Sequence, residues 1–148
     1  MATDVKKLLD LIAGRTGVGL PESVQGLSEL RGEDGRVYLR LGIGVHRDII
    51  KEIGYESDPE IPADLAAAMA EVTLLAKDKA IMAAALITPE QISAGLSGGE
   101  GVDEENREAV GMAALMLREC LRNYSAAYNK ARAERLKAME AAPEQREG

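Results

Sequence analysis

Aromatic residues, cysteine and histidine are nearly missing from this chain. Its 148 residues include no Trp, no Phe, four Tyr, one Cys and one His. Without Trp or Phe, any core must be filled by Leu, Ile, Val, Ala and Met. Six Met and abundant Ala imply small, adaptable packing rather than aromatic anchoring. A single cysteine, Cys120, excludes a disulfide framework and fits a reducing, cytoplasmic setting. One Cys and one His, His46, cannot complete an ordinary zinc constellation. No apolar run approaches the roughly 20 residues of a membrane span, so no membrane partner is expected. The start, Met1-Ala2-Thr3-Asp4, carries an acidic residue where a secretion signal has a basic flank. A basic face is missing as well. Net charge is −7, and residues 59–127 hold 5 basic against 11 acidic side chains. Nucleic acid is therefore not an expected partner. The acidic surface reads as an aid to solubility, with docking of a basic partner as the alternative.

What is present suffices for one domain and an appendage: the apolar share is 46%. Val5, Leu8, Leu9, Leu11 and Ile12 have helical spacing over Asp4–Ala13, with Thr3 or Asp4 to cap and Gly14 to end the helix. Gly14–Glu22 holds three glycines and Pro21 and reads as a loop. The period then changes to two. Val24–Arg31 is a strand candidate, and Asp34-Gly35 supplies the positive φ angles of a hairpin turn. Over Arg36–Val45, Val37, Leu39, Leu41, Ile43 and Val45 share one face, while Arg36, Tyr38, Arg40, Gly42 and Gly44 share the other. His46-Arg47-Asp48 makes a second turn before a third strand, Ile49–Tyr55. Two short turns imply an antiparallel meander with one buried face.

From Asp58 the pattern is helical. Ala63–Ala76 and Asp78–Ile87 are Ala-rich segments, and Thr88-Pro89-Glu90-Gln91 opens a short helix as a capping box with Pro at its first position. That helix ends at Gly95, and Ser97-Gly-Gly-Glu-Gly101 follows as a hinge or linker without the Gly-Lys-Ser/Thr of a phosphate loop. Asp103 caps a long helix whose apolar positions Val110, Ala113, Leu117, Cys120/Leu121, Tyr124, Tyr128 and Ala131 recur every three to four residues. Continued to Met139, ahead of Pro143 and a polar, disordered tail, it is about 55 Å long. That exceeds a small domain, so its last turns project or pack on another chain.

This order, helix, three-stranded meander, helices and long final helix, resembles the iron–sulfur cluster scaffold family of the NifU amino-terminal domain and IscU type. Gly35-Arg-Val-Tyr-Leu-Arg-Leu-Gly-Ile-Gly-Val45 looks like the family's strand after its first cysteine loop. Lys77-Asp-Lys79 with the run to Thr88-Pro-Glu-Gln-Ile92 looks like its Lys-Gly-Lys segment, and Arg107–Tyr124 like the helix that opens with its third cysteine. The resemblance spans about residues 24–128. It implies a cluster held by three cysteines at one end of the fold, helped by an Asp and a His. Those thiols are absent here. Asp34 stands at the first place and Arg36 at the helping Asp. The second place falls near Pro62 or near Ser57-Asp58, the third is Ala109, and Glu108 replaces the neighbouring His. One remaining thiolate cannot hold a cluster that needs about four ligands. The family's Pro-rich chaperone-docking segment is replaced by Gly101–Asn106.

Two sets of site candidates follow. Asp34, Asp58 and Glu108 converge if the family fold holds, and three carboxylates suit a hard cation or a weakly held Fe²⁺; turn and helix-start roles also explain them. Tyr124, Tyr128, Leu136 and Met139 lie where the long helix outruns the domain and form a candidate partner-binding or self-association stripe. Cys120, on the apolar stripe with Leu117 and Tyr124, reads as a small buried hydrophobe, and His46 as a solvated turn residue without an orienting partner for catalysis. The expectation is an α+β fold: residues 1–23 an N-terminal helix and loop, 24–128 a three-stranded antiparallel sheet packed on helices, and 129–148 a projecting helix end and tail. The expected function is non-enzymatic: a protein-binding accessory, or a small subunit of a larger complex, with or without metal. No cofactor is expected. Iron or an iron–sulfur cluster enters only under the alternative, an assembly or iron-carrier protein that uses carboxylates or ligands from a second chain.

Overall fold

The computed structural model describes residues 14, 16–97 and 107–147, with residues 97 and 141–147 as backbone only. The helix expected over Asp4–Ala13 and the cap at Asp103 lie outside the described residues. Strands β1 (Gly26–Arg31), β2 (Val37–His46) and β3 (Ile49–Ser57) form one antiparallel meander in the order β1-β2-β3. Leu41 sits opposite Ser28 on one side and Tyr55 on the other, and Ile43 opposite Gly26 and Ile53. Leu39, Leu41 and Ile43 are fully buried, as period two requires of a core face. The fold class is α+β: four helices, α1 (Ala63–Ala76), α2 (Ile81–Ala84), α3 (Pro89–Ser97) and the long α4 (Arg107–Glu147), accompany this sheet among the described residues.

The back of the sheet differs from the expectation of one buried face. Gly42 and Gly44 are buried too. The reason is the preceding loop, which is tied to the outer edge of β3. Gly19 N–H donates to Tyr55 O at 2.8 Å, and Tyr55 N–H to Gly17 O at 2.8 Å. A Cβ on Gly42 would stand 3.2–3.4 Å from Leu20, Val24 and Pro21, and one on Gly54, its partner across the ladder, would overlap the Gly19 carbonyl. Two side-chain-free positions thus let the loop lie flat on the sheet.

The turns also differ in kind. At the first hairpin only Gly35 has positive φ, +84°, while Asp34 acts through its side chain: Oδ1 accepts the Arg36 N–H at 2.9 Å. The two-residue turn with both φ positive is the second one, at Arg47 (+52°) and Asp48 (+64°).

Helix α1 is buried on every side from Ala67 to Thr73, and its alanines let neighbours approach closely. It packs on β3, α3 and α4, while α4 lies along β1. The helix expected over Asp78–Ile87 shrinks to the single turn of α2. Residues 78–80 extend the edge of β3 instead: Asp78 N–H donates to Ile50 O at 2.7 Å and Ile50 N–H to Lys79 O at 2.9 Å. Backbone groups spent on a sheet edge cannot also close a helix. Helix α3 opens as expected. Thr88 N–H donates to Gln91 Oε1 at 2.9 Å, and Gln91 N–H to Thr88 Oγ1 at 3.2 Å, a reciprocal capping box. It ends at Ser97 rather than Gly95. Helix α4 runs on to Glu147, past the end expected near Met139. Pro143 lies within its last turns and has no N–H to donate to the ladder there.

Candidate functional site

The first hairpin, the β3–α1 connection and the start of α4 meet at one end of the sheet. Asp34 and Asp58 line a single cleft of about 200 Å³, together with Gly32, Arg36, Tyr38, Glu60, Ile61 and Pro62. Asp58 is anchored by its own N–H, which donates to Tyr38 O at 2.9 Å. Its carboxylate accepts the Arg36 Nη2 at 2.6 Å. Glu108 belongs to a neighbouring cavity of about 300 Å³, floored by Leu30, Leu65, Ala109 and Met112 and rimmed by Asp64. The two cavities share Tyr38 and Pro62.

Asp34 and Asp58 are therefore brought together, with Arg36 beside them, while Glu108 stands beyond Tyr38 and Pro62. Among the described residues, no three His, Cys, Asp or Glu side chains are grouped so as to hold a metal ion. The guanidinium occupies the place beside Asp58 that a cation would need, and like charge at that range repels it. The places where the resemblance sets cysteines, Asp34, Pro62 or on the other count Asp58, and Ala109, all line these joined cavities, and none offers a thiolate. The residues present do not fit an iron–sulfur cluster.

Cys120 is elsewhere, fully buried where α4 crosses the sheet. Its S–H donates to Leu41 O at 3.5 Å. Burial pushes the thiol up to about 12, against a smaller lowering by the Ser28 backbone hydrogen bond, so at neutral pH it is neither a nucleophile nor a ligand. His46 is an exposed residue at the end of β2, beside the second turn.

The partner-binding candidates lie along α4. Tyr124 is half-buried, and its ring stacks on Tyr128 with centroids 6.2 Å apart and planes at 30°. Burial, then the nearby Asp48 and Tyr128, raise the Tyr124 pKa. Past Tyr124 every residue to Glu140 is exposed, including Tyr128 (48%), Leu136 (51%) and Met139 (68%). From Tyr124 to Glu147 the helix extends roughly 35 Å. This projecting half carries 5 basic side chains, Lys130, Arg132, Arg135, Lys137 and Arg146, against 4 acidic ones, Glu134, Glu140, Glu144 and Glu147, so its charge is nearly balanced on an acidic protein.

Sequence reasoning missed two surfaces. Met82 and Leu86 are exposed apolar residues on and just after α2, beside the second turn, whose Asp48 O accepts the Ile81 N–H at 2.9 Å. Leu115 is half-exposed on α4 beside β1. The apolar period of α4 could not reveal Leu115, because it falls off the stripe that packs on the sheet. Among the described residues no helix is long and apolar enough to cross a membrane. No protein-family model and no curated protein matches this chain.

Proposed function

We propose that this chain is a non-enzymatic, NifU/IscU-like protein of the cytoplasm that binds other proteins, as an accessory or a small subunit of a larger complex, with or without metal. The observation that carries this reading is α4. A helix that leaves its domain with Tyr128, Leu136 and Met139 exposed keeps apolar surface in water unless something covers it. The absence of thiols at Asp34, at Pro62 or Ser57-Asp58, and at Ala109 supports a binding role over cluster assembly. The test is affinity purification of the tagged full chain from its host, with mass spectrometry and metal analysis of what accompanies it. A stoichiometric protein partner is expected. It should be lost from the Tyr128→Asp/Met139→Asp variant while the circular dichroism spectrum stays unchanged, since both side chains are exposed. A chain that emerges alone sinks the reading.

A second reading, an iron carrier using carboxylates, is favoured by one observation: Asp34 and Asp58 line the same cleft. It requires iron uptake that falls in Asp34→Ala and in Glu108→Ala. Because Arg36 neutralises Asp58, the expected result is anaerobic reconstitution without a stable cluster, and equal, weak iron uptake by the wild type and both variants.

A further inference from the structure

We infer that the outer edge of β1 takes up an extended segment of a partner protein as a fourth strand of the sheet. The inference goes beyond the reading of α4 as a binding element and concerns a different surface. It rests on the unequal treatment of the two sheet edges. The order β1-β2-β3 makes β1 and β3 the edge strands. The edge of β3 is closed by backbone at both ends: Gly17 and Gly19 exchange hydrogen bonds with Tyr55, and Asp78 and Lys79 with Ile50. Open strand edges invite association, and proteins cover them for that reason. Among the described residues no backbone covers the edge of β1.

Two hydrogen bonds fix the phase of β1. The Leu27 carbonyl turns outward, because it accepts Asn123 Nδ2 of α4 at 2.7 Å. The Gly32 N–H turns inward, to Arg36 O at 2.9 Å. Backbone groups alternate along a strand, so Leu27, Glu29 and Arg31 present theirs outward while Gly26, Ser28 and Leu30 bond β2. The register shift at Leu30/Arg31 skips Tyr38 on β2 and leaves the alternation of β1 intact. Of the outward groups, only the Leu27 carbonyl has a partner among the described residues. Donors and acceptors at strand spacing are matched by another extended backbone.

Side chains decide what that strand carries. Its positions beside Ser28 and Leu30 turn to the same side of the sheet as these two, towards α4. There a groove of about 160 Å³ runs between β1 and α4, lined by Ser28, Leu30, Met112, Leu115 and Met116. Leu115 is 51% exposed on it, and an aliphatic side chain laid in the groove covers it. The Ser28 hydroxyl, in a residue only 5% exposed, has no hydrogen-bond partner, and a hydroxyl side chain beside it supplies one. On the other side of the sheet the Glu29 carboxylate is already held by Arg40 Nε at 2.9 Å and Arg31 Nη2 at 3.3 Å, so it asks for no charge. The occupant is an extended segment with an aliphatic and a hydroxyl residue two places apart facing α4, and uncharged residues between and beside them.

NMR titration of the full ¹⁵N-labelled chain with the net-neutral heptapeptide Lys-Val-Leu-Val-Thr-Val-Glu tests this. Saturable binding with a Kd no weaker than about 1 mM is expected, with the largest amide shifts at Leu27, Glu29 and Arg31. Glu29→Pro removes an outward N–H and no ladder bond, so the circular dichroism spectrum should stay that of the wild type while affinity falls at least about tenfold. A control on the peptide needs no variant. N-methylation of its valines blocks one edge of the peptide, and N-methylation of its leucine and threonine blocks the other, so only one of the two methylated peptides should bind. Peptide binding should be unchanged in Tyr128→Asp/Met139→Asp, which separates this edge from the end of α4. No saturable binding, shifts centred away from β1, equal affinity for Glu29→Pro, equal binding of both methylated peptides, or binding lost in the α4 variant overturns the inference.

Discussion

Gly26→Val is expected to lower the stability of this protein by about 3 kcal/mol, the upper range for forcing bulk into a packed core. Gly26 lies at the seam between β1 and α4. A Cβ there would stand 2.7 Å from the Cys120 carbonyl oxygen and 2.8 Å from the Tyr124 Cβ, with Ile43 at 3.0 Å on the neighbouring strand. Two of these are helix backbone or the first atom of a side chain, so no flexible tip can move aside. Local propensity points the other way: Val is among the best strand residues and Gly among the worst. The sign of the effect therefore separates tertiary packing from propensity. For a chain of this length, about 3 kcal/mol corresponds to a fall in Tm of roughly 6–12 °C. Gly111→Ala serves as the contrast, since a Cβ there meets nothing within 4 Å and the site is inside a helix. It is expected to gain about 0.5–1 kcal/mol. Urea and thermal melts followed by circular dichroism measure both. A Gly26→Val protein at least as stable as the wild type would mean that α4 does not rest on β1 in this way.

The same seam shows which parts of the fold were legible. The meander was readable because Leu39, Leu41 and Ile43 alternate with polar or small residues, and a period of two has one structural meaning. The opening of α3 was readable because Thr88, Pro89 and Gln91 perform their capping chemistry within four residues. Gly26, Gly42 and Gly54 were not readable as contact points. A glycine in a strand says that something comes close, not what, and the loop and helix that do so are distant in sequence. The failure at Asp78–Ile87 has the same origin: alanines favour helix locally, and the edge of β3 claimed residues 78–80. At the candidate site, the meeting of Asp34 with Asp58 followed from topology, whereas the ion pair that ties Asp58 to Arg36 depends on side-chain reach across the hairpin. Exposure of Tyr128, Leu136 and Met139 was legible from length alone, because no 148-residue domain can cover so long a helix.

Above pH 9 the protein should lose stability through Cys120 in particular. The folded thiol is raised by burial from 9.0 to about 12, so in that window the unfolded chain gives up its proton while the folded chain keeps it. The native state then binds more protons than the unfolded state, and stability must fall as pH rises. Below pH 9 both states hold the proton and the group contributes no slope. Each unit of difference is worth about 1.4 kcal/mol, so roughly 2–3 kcal/mol should be gone by pH 11. Tyr124, also raised, adds a loss of the same sign. Cys120→Ala separates the two. It forfeits a little packing, about 1 kcal/mol at every pH, but keeps Tyr124 and removes the thiol's share of the slope. The wild type should therefore be the more stable of the two at pH 8 and the less stable at pH 11, a crossing that loss of packing alone cannot produce. Parallel urea denaturation curves at the two pH values would show it. If the two proteins keep a constant difference across that range, Cys120 is not shut into the core, and the seam between α4 and the sheet is looser than its contacts with Gly26 and Leu41 require.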